Sequence, residues 1–231
     1  EETGFLTKAF AALNKVPRYE IKLAENPSDT EAQVNLLDCM KESGQYDALL
    51  NYVEGIEQSS SIVSKVLPFA TEASWATSRW NMLEKYVAKA PVEIAGDFNV
   101  NIGRVLLAFR DRDFNVFDTA IKSLREHIAS SLSADTTSSL GSCHDSMLRL
   151  HVLTELDMIA HSSDDASQRQ QVLSSLDRRL EVVGAYLNDK QYLLSLRRAA
   201  MQLSRNTFTE ANIASAWLTS ARVARKGNSV H

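Results

Sequence analysis

His151 and Glu155 stand four residues apart in a stretch whose apolar spacing predicts a helix, so both side chains fall on one face and could present two ligands to a metal. A zinc site takes three or four ligands, and Cys143 and His144 are the only other donors close by in sequence. The pair reads better as an ordinary helix-surface contact, and no metal site is expected. His127, His161 and His231 have no partners in sequence and read as structural or surface groups. Cys39 sits among Leu36, Leu37 and Met40, where a buried thiol is inert packing. With Cys143 as the only other cysteine there is no disulfide framework and no CxxC pair, which points to a reducing compartment.

Nucleophile and phosphate-binding motifs are equally missing: the sequence holds no GxSxG elbow, no GxxxxGK[ST] loop and no GxGxxG fingerprint. Asp111-Arg112-Asp113 and Asp113-Phe114-Asn115 share letters with the HRD and DFG motifs of phosphoryl-transfer enzymes, but the remaining pieces are lacking and both strings fall at a helical turn. No catalytic or cofactor-binding residue is expected. Trp75 and Trp80 flank another predicted turn, where aromatic packing between neighbouring helices is the expected role.

The elements that carry these residues follow a clock. Tyr46, Trp80 and Phe114 are each 34 positions apart, as are Leu49, Leu83 and Phe117, and again Val53, Val87 and Ile121. Within each copy the three positions lie at i, i+3 and i+7, one face of a helix. A 34-residue period with two helices per copy is the tetratricopeptide spacing. The expected fold is therefore all-α, a right-handed superhelical solenoid of antiparallel helix pairs, with these nine residues and Trp75 as its repeat core.

Three regular pairs are expected over 26–131, at about 28–43 with 46–56, 62–77 with 79–90, and 98–110 with 113–130. Ser28 with Glu31 suggests a capping box, Gly44 a C-cap, Ser59–Ser61 a polar break, and Pro91 a stop. Position 148 breaks the clock, because Leu148 lies inside a continuous apolar pattern. Residues 132–231 then read as irregular, longer pairs at about 140–161, 168–187, 189–204 and 209–226. Ser130–Ser146 reads as a loop plus helix start, and Ser162–Ser167 as a mobile acidic connector. Residues 1–25 read as one additional, degenerate pair.

Eight Gly and four Pro in 231 residues leave few turns, as long helices require. Net charge is −4, split between −10 over residues 1–177 and +6 over 178–231. The basic residues of the second part are spread over several helices, so no direct nucleic-acid contact is expected. No apolar run approaches ~18 residues, so no membrane-spanning helix is expected. Both ends read as cut, which suggests a segment of a longer polypeptide.

Four strings carry a family resemblance. Glu72–Val87 (EASWATSRWNMLEKYV) resembles the A-x-W-x-x-x-x-W element of the FAT domain of phosphatidylinositol-3-kinase-related protein kinases. Arg149–Asp157 (RLHVLTELD), Leu196–Leu203 (LRRAAMQL) and Trp217–Lys226 (WLTSARVARK) resemble its ATR branch, the replication-stress and DNA-damage checkpoint kinases, and its fungal members in particular. The resemblance runs over about 68–231 and is architectural before that. It implies a non-catalytic scaffold segment of a nuclear serine/threonine kinase whose ATP and Mg belong to a catalytic domain outside this segment. It implies contacts with that kinase domain and with neighbouring helical repeats, an ATRIP-type regulatory subunit, and a dimeric parent complex. Kinases of this branch are expected to favour Ser or Thr followed by Gln, and Ser167-Gln168 is the only such dipeptide, which makes Ser167 a candidate autophosphorylation site. The alternative is an independent tetratricopeptide-type module that grips a protein or peptide. Lys41 and Lys65 are the only basic residues on the first helices of the first two pairs, too few for a carboxylate clamp.

Overall fold

The computed structural model describes residues 5–56, 60–91, 94–134, 140–183 and 186–226. The described residues form α-helices and no strands: α1 (Phe5–Glu25), α2 (Thr30–Glu42), α3 (Tyr46–Gly55), α4 (Ser60–Ala76), α5 (Trp80–Ala88), α6 (Phe98–Arg110), α7 (Phe114–Ala134), α8 (Leu140–Ala160), α9 (Ala166–Val182), α10 (Leu187–Leu203) and α11 (Glu210–Lys226). The all-α, helix-pair expectation is what the structure shows.

The 34-residue period is written into the backbone as well as the side chains. The first helices of the three pairs end at Glu42, Ala76 and Arg110, and the second begin at Tyr46, Trp80 and Phe114. Between them Gly44, Ser78 and Arg112 adopt left-handed φ values of 73°, 58° and 60°. At each turn the left-handed residue donates its N–H three residues back, to the carbonyls of Lys41, Trp75 and Phe109. The following N–H reaches five back, to Met40, Ser74 and Ala108. This is the Schellman arrangement, which satisfies the last carbonyls of one helix. Gln45, Arg79 and Asp113 then accept the first bond of the next helix, from the N–H groups of Leu49, Leu83 and Phe117.

The side-chain clock follows from this geometry. Leu49, Leu83 and Phe117 are fully buried, and Val53 and Ile121 nearly so. Tyr46, Trp80 and Phe114, as first residues of their helices, are half-buried, as is Val87. Trp75, the next-to-last residue of α4, is fully buried.

The chain divides into two compact units, 1–107 with 224–231 and 108–223. The division falls inside α6 rather than at the sequence-based boundary of 131/132. In the first unit α2 lies beside α1, α3 and α4, and α4 beside α3 and α5. Their shared core is built around Leu36, Leu37, Leu49, Leu50 and Ala70, all at 0–1% exposure. Gly103 of α6 allows a close approach to α4 and α5: a Cβ there would stand 2.7 Å from Thr71 Cγ2 and 3.1 Å from Leu83 Cδ1. In the second unit α8 is central, flanked by α7, α9 and α10. That explains why the clock stops: a helix covered on three sides has no narrow apolar stripe for a repeat to mark.

Several local expectations are corrected. Residues 5–25 form the single helix α1, not a pair, and it runs through Pro17 at the cost of one ladder bond. The N-cap of α2 is Asp29, not Ser28: its carboxylate accepts from the Ala32 N–H at 3.0 Å, placing Glu31 one position too early for a capping box. Ser60 and Ser61 already belong to α4, and Ser59 lies outside the described residues. In the Ser130–Ser146 stretch α7 runs on to Ala134 and α8 opens at Leu140. His231 also lies outside the described residues.

Candidate functional site

Two of the resemblance strings, Arg149–Asp157 and Leu196–Leu203, meet at one buried ion pair. Glu155 on α8 is 1% exposed, inside the arc formed by Val152, Leu153, Leu156 and Ile159. Arg197 on α10, 4% exposed, grips it with both arms of the guanidinium: Nη2 donates to Oε1 at 2.9 Å and Nε to Oε2 at 3.1 Å. The remaining donors reach α9, Nη2 to the Leu176 carbonyl at 2.8 Å and Nη1 to Asp177 Oδ1 at 3.2 Å. One guanidinium therefore ties three helices, a task that needs the planar fork of Arg. Burial pushes the Glu155 carboxyl up, and the Arg197 charge beside it opposes that shift.

Arg198, next in the same string, faces elsewhere. Its Nη1 donates to Ser220 Oγ at 2.5 Å and its guanidinium lies 3.8 Å from the centre of the Trp217 ring. The string Leu196–Leu203 thus joins α10 to α8 and α9 through one arginine and to α11 through the next.

The first unit has its own buried acid. Glu72 of α4, 5% exposed, accepts from Asn99 Nδ2 of α6 at 3.0 Å. Burial pushes its carboxyl up to about 7; the Lys41 charge and the Asn99 hydrogen bond oppose the rise, while Asp38 and Asp97 add to it.

The sequence-predicted sites resolve differently. His151 and Glu155 do not act together, because Glu155 is held by Arg197 and the His151 ring nitrogen Nδ1 lies 3.3 Å from Arg179 Nη1. Burial and then the Arg179 charge hold His151 below the usual imidazole range. His144 sits against Asp189 of α10 at 2.5 Å, with the Tyr186 ring 4.2 Å away. Cys39 is buried, and burial pushes its thiol up, away from the reactive thiolate. Asp111–Asn115 forms the turn into α7, where Asp113 caps the helix by accepting from the Val116 N–H.

Ser167 is exposed but is not in a connector: it is the second residue of α9, whose N-cap Asp165 accepts from the Gln168 N–H at 2.9 Å. Gln168 is itself engaged, accepting from Ser163 Oγ at 2.7 Å. The acidic connector is tied down by Thr207, which donates Oγ1 to Asp164 at 2.7 Å and accepts Arg169 Nη1 on its carbonyl at 3.1 Å.

Sequence reasoning missed Arg197, Glu72 and Gly103. The available signal was a polar or missing side chain inside an otherwise apolar helical face, as in LRRA, TEL and EASW.

Comparison with known proteins identifies the family. The FAT domain family matches residues 67–231, which includes Glu72, Glu155 and both arginines of α10. Protein kinase rad3 of Schizosaccharomyces pombe is 27% identical over 90% of this chain. The serine/threonine-protein kinase mTor of Drosophila melanogaster is 21% identical over 92%, and the serine/threonine-protein kinase ATR of rice 20% over 89%. In each case the chain spans about 8% of the relative's length. The segment matched is the FAT domain and not a catalytic one, and the chain belongs to the FAT domain family, of the kind found in ATR-type phosphatidylinositol-3-kinase-related protein kinases.

Proposed function

We propose that this chain is a non-catalytic scaffold segment of an ATR-type serine/threonine protein kinase acting in DNA-damage and replication-stress checkpoint signalling in the nucleus. The observation that carries this reading is the FAT match over 67–231, together with the similarity to rad3 across nine-tenths of the chain. ATP and Mg belong to the parent's catalytic domain. The segment's role is mechanical: it positions that domain and supports contacts with neighbouring repeats, with an ATRIP-type subunit and across a dimer. Helices joined by tight turns and buried contacts pass a displacement at one end to the other.

The test is made in the full-length parent. A flexible insertion between α3, which ends at Gly55, and α4, which begins at Ser60, should leave basal phosphorylation intact and cut activator-stimulated phosphorylation at least severalfold. Unchanged activation counts against the reading. Peptide capture by the 231-residue chain alone would favour a tetratricopeptide-type module instead. Lys41 speaks against that, since its ammonium is committed to Asp38 at 3.2 Å and to the Phe69 ring at 5.2 Å.

Ser167 remains a proposed autophosphorylation site, on the same reading. It is exposed at a helix N-terminus, where added phosphate is favoured by the dipole and opposed by the Asp165 carboxylate already capping that turn. Phosphopeptide mapping of the activated parent that finds Ser167 unmodified removes the idea.

A further inference from the structure

The one group of three potential metal ligands among the described residues is Asp118, Asp157 and His161, with one ligand atom from each lying within 4.8 Å of the others. Asp157 lies in the last turn of α8, His161 directly follows that helix, and Asp118 comes from α7. The same residues, with Ile121, Lys122 and Arg125, line an open cleft of about 350 Å³. Phe114 and Phe117 hold the imidazole from one side, their ring centres 5.8 and 5.9 Å away.

The proton count at His161 is the informative feature. Its Nδ1 faces two acceptors of Asp157, the backbone carbonyl at 3.1 Å and Oδ1 at 3.0 Å, so the ring proton belongs there. Nε2 then presents its lone pair to another acceptor, Asp118 Oδ1, at 3.2 Å. Acceptors thus face both ring nitrogens, and the Nε2 side can be bridged either by a second ring proton or by a bound cation. An Nδ1–H on a carbonyl with Nε2 directed outward is also how proteins orient a metal-binding histidine.

We propose that His161 Nε2, Asp118 Oδ1 and Asp157 Oδ1 bind one divalent transition-metal ion of the Zn²⁺ class, water completing its shell, and thereby staple α7 to the end of α8. Tetrahedral Zn²⁺ places neighbouring N and O ligands about 3.3 Å apart, close to the observed His161–Asp118 spacing. Coordination requires Asp157 Oδ1, which faces Nδ1 at 3.0 Å, to swing toward the ion and leave its carbonyl as the acceptor for Nδ1. Arg125 Nη2, at 2.9 Å from Oδ2, holds the other carboxylate oxygen, about which Oδ1 would swing. Lys122 is 78% exposed and directed to Glu126 at 4.0 Å, so its charge does not fill the site. This departs from the sequence-based expectation of no metal, because residues 118 and 161 come together only through the packing of α7 on α8.

The experiment titrates the chelator-stripped 231-residue chain with Co²⁺, read by its visible absorption, and with Zn²⁺, read by calorimetry. The expected result is one equivalent bound, with tetrahedral Co²⁺ absorption and a Tm raised by about 5 °C or more at Zn²⁺ a hundredfold above its Kd. His161→Gln and Asp118→Asn, both at partly exposed positions, should each weaken binding at least about tenfold. Comparison of Tm in chelator shows whether either variant has lost its fold. No absorption and no heat from the wild-type chain overturns the proposal and leaves a second proton to fill the gap. Equal affinity in His161→Gln overturns it by placing the ion elsewhere.

Discussion

Between Thr30 and Ala88 successive helices are joined by repeated backbone turns and apolar contact, whereas between Leu140 and Leu203 three helices converge on one buried guanidinium. In the first region the turn is the specifying device, because a left-handed residue and the same two hydrogen bonds recur 34 positions apart, at Gly44 and Ser78. In the second, Glu155 and Arg197 fix which faces of α8, α9 and α10 meet. The lesson is that periodic packing distributes its energy over many small terms, while a buried ion pair concentrates it in one.

That contrast predicts where the chain is fragile. Arg197→Ala should cost about 4 kcal/mol, since it strands Glu155 without a partner in a nearly dry arc. The double change Glu155→Leu with Arg197→Met should recover most of the loss, because two apolar groups need no compensation. Urea denaturation of the three proteins decides it; a single-variant loss below ~1 kcal/mol would mean that α8 and α10 are held by ordinary packing after all.

Glu72 gives the first region its own ionic weakness, now set by pH. Its folded carboxyl is raised to about 7 from 4.5, so the folded state binds the extra proton. Stability from this group is therefore full at low pH and declines as pH rises from about 4.5 to 7, by about 3 kcal/mol. Glu72→Gln should remove that slope and be the more stable protein at pH 8, with the advantage gone near pH 4. Denaturation midpoints at both pH values, compared between variant and wild type, check the sign.

Gly103 tests how tightly the regular region is packed. Alanine gains ~1 kcal/mol of helix propensity over glycine in a helix interior. Here its Cβ meets the γ-methyl of Thr71, which is fully buried on a β-branched side chain and has nowhere to go. Overpacking of this kind costs ~1–3 kcal/mol, so a net loss of about 1–2 kcal/mol is expected. Thr71→Ser removes the nearest methyl and should restore part of the loss, the Cβ still meeting Val87 Cγ2 at 3.0 Å and Leu83 Cδ1 at 3.1 Å.

The two regions were also unequally legible from sequence. Tyr46, Trp80 and Phe114 announced the first because each opens the second helix of a pair, so side-chain period and backbone period coincide. Asp29 was misread because Ser and Asp are both good caps, and only the φ of the residue itself separates them. Glu155 and Arg197 stayed hidden for a different reason. They are 42 positions apart, and a buried ion pair leaves no periodic trace in either helix. His161 and Asp118 share that difficulty, and Ser167 shows the limit of reading serine-rich strings as loops, since Asp165 had already started the helix.

The smallest effect isolates the turn itself. A non-glycine residue held in the left-handed region costs about 1 kcal/mol, and two of the three clock turns carry that cost, at Ser78 and Arg112. Ser78→Gly copies the Gly44 turn and should gain about 0.5 kcal/mol, after the added freedom glycine gives the unfolded chain. Arg112→Gly relieves the same strain but also deletes the bond from its Nη2 to the Leu203 carbonyl at 3.1 Å, and the guanidinium 5.6 Å from the Phe109 ring. Those contacts are worth about as much as the strain, so this second change should be near neutral. Thermal unfolding of the two variants side by side compares what the Ser78 and Arg112 side chains contribute beyond the shared turn strain: equal shifts would mean that the Arg112 contacts weigh no more than those of Ser78.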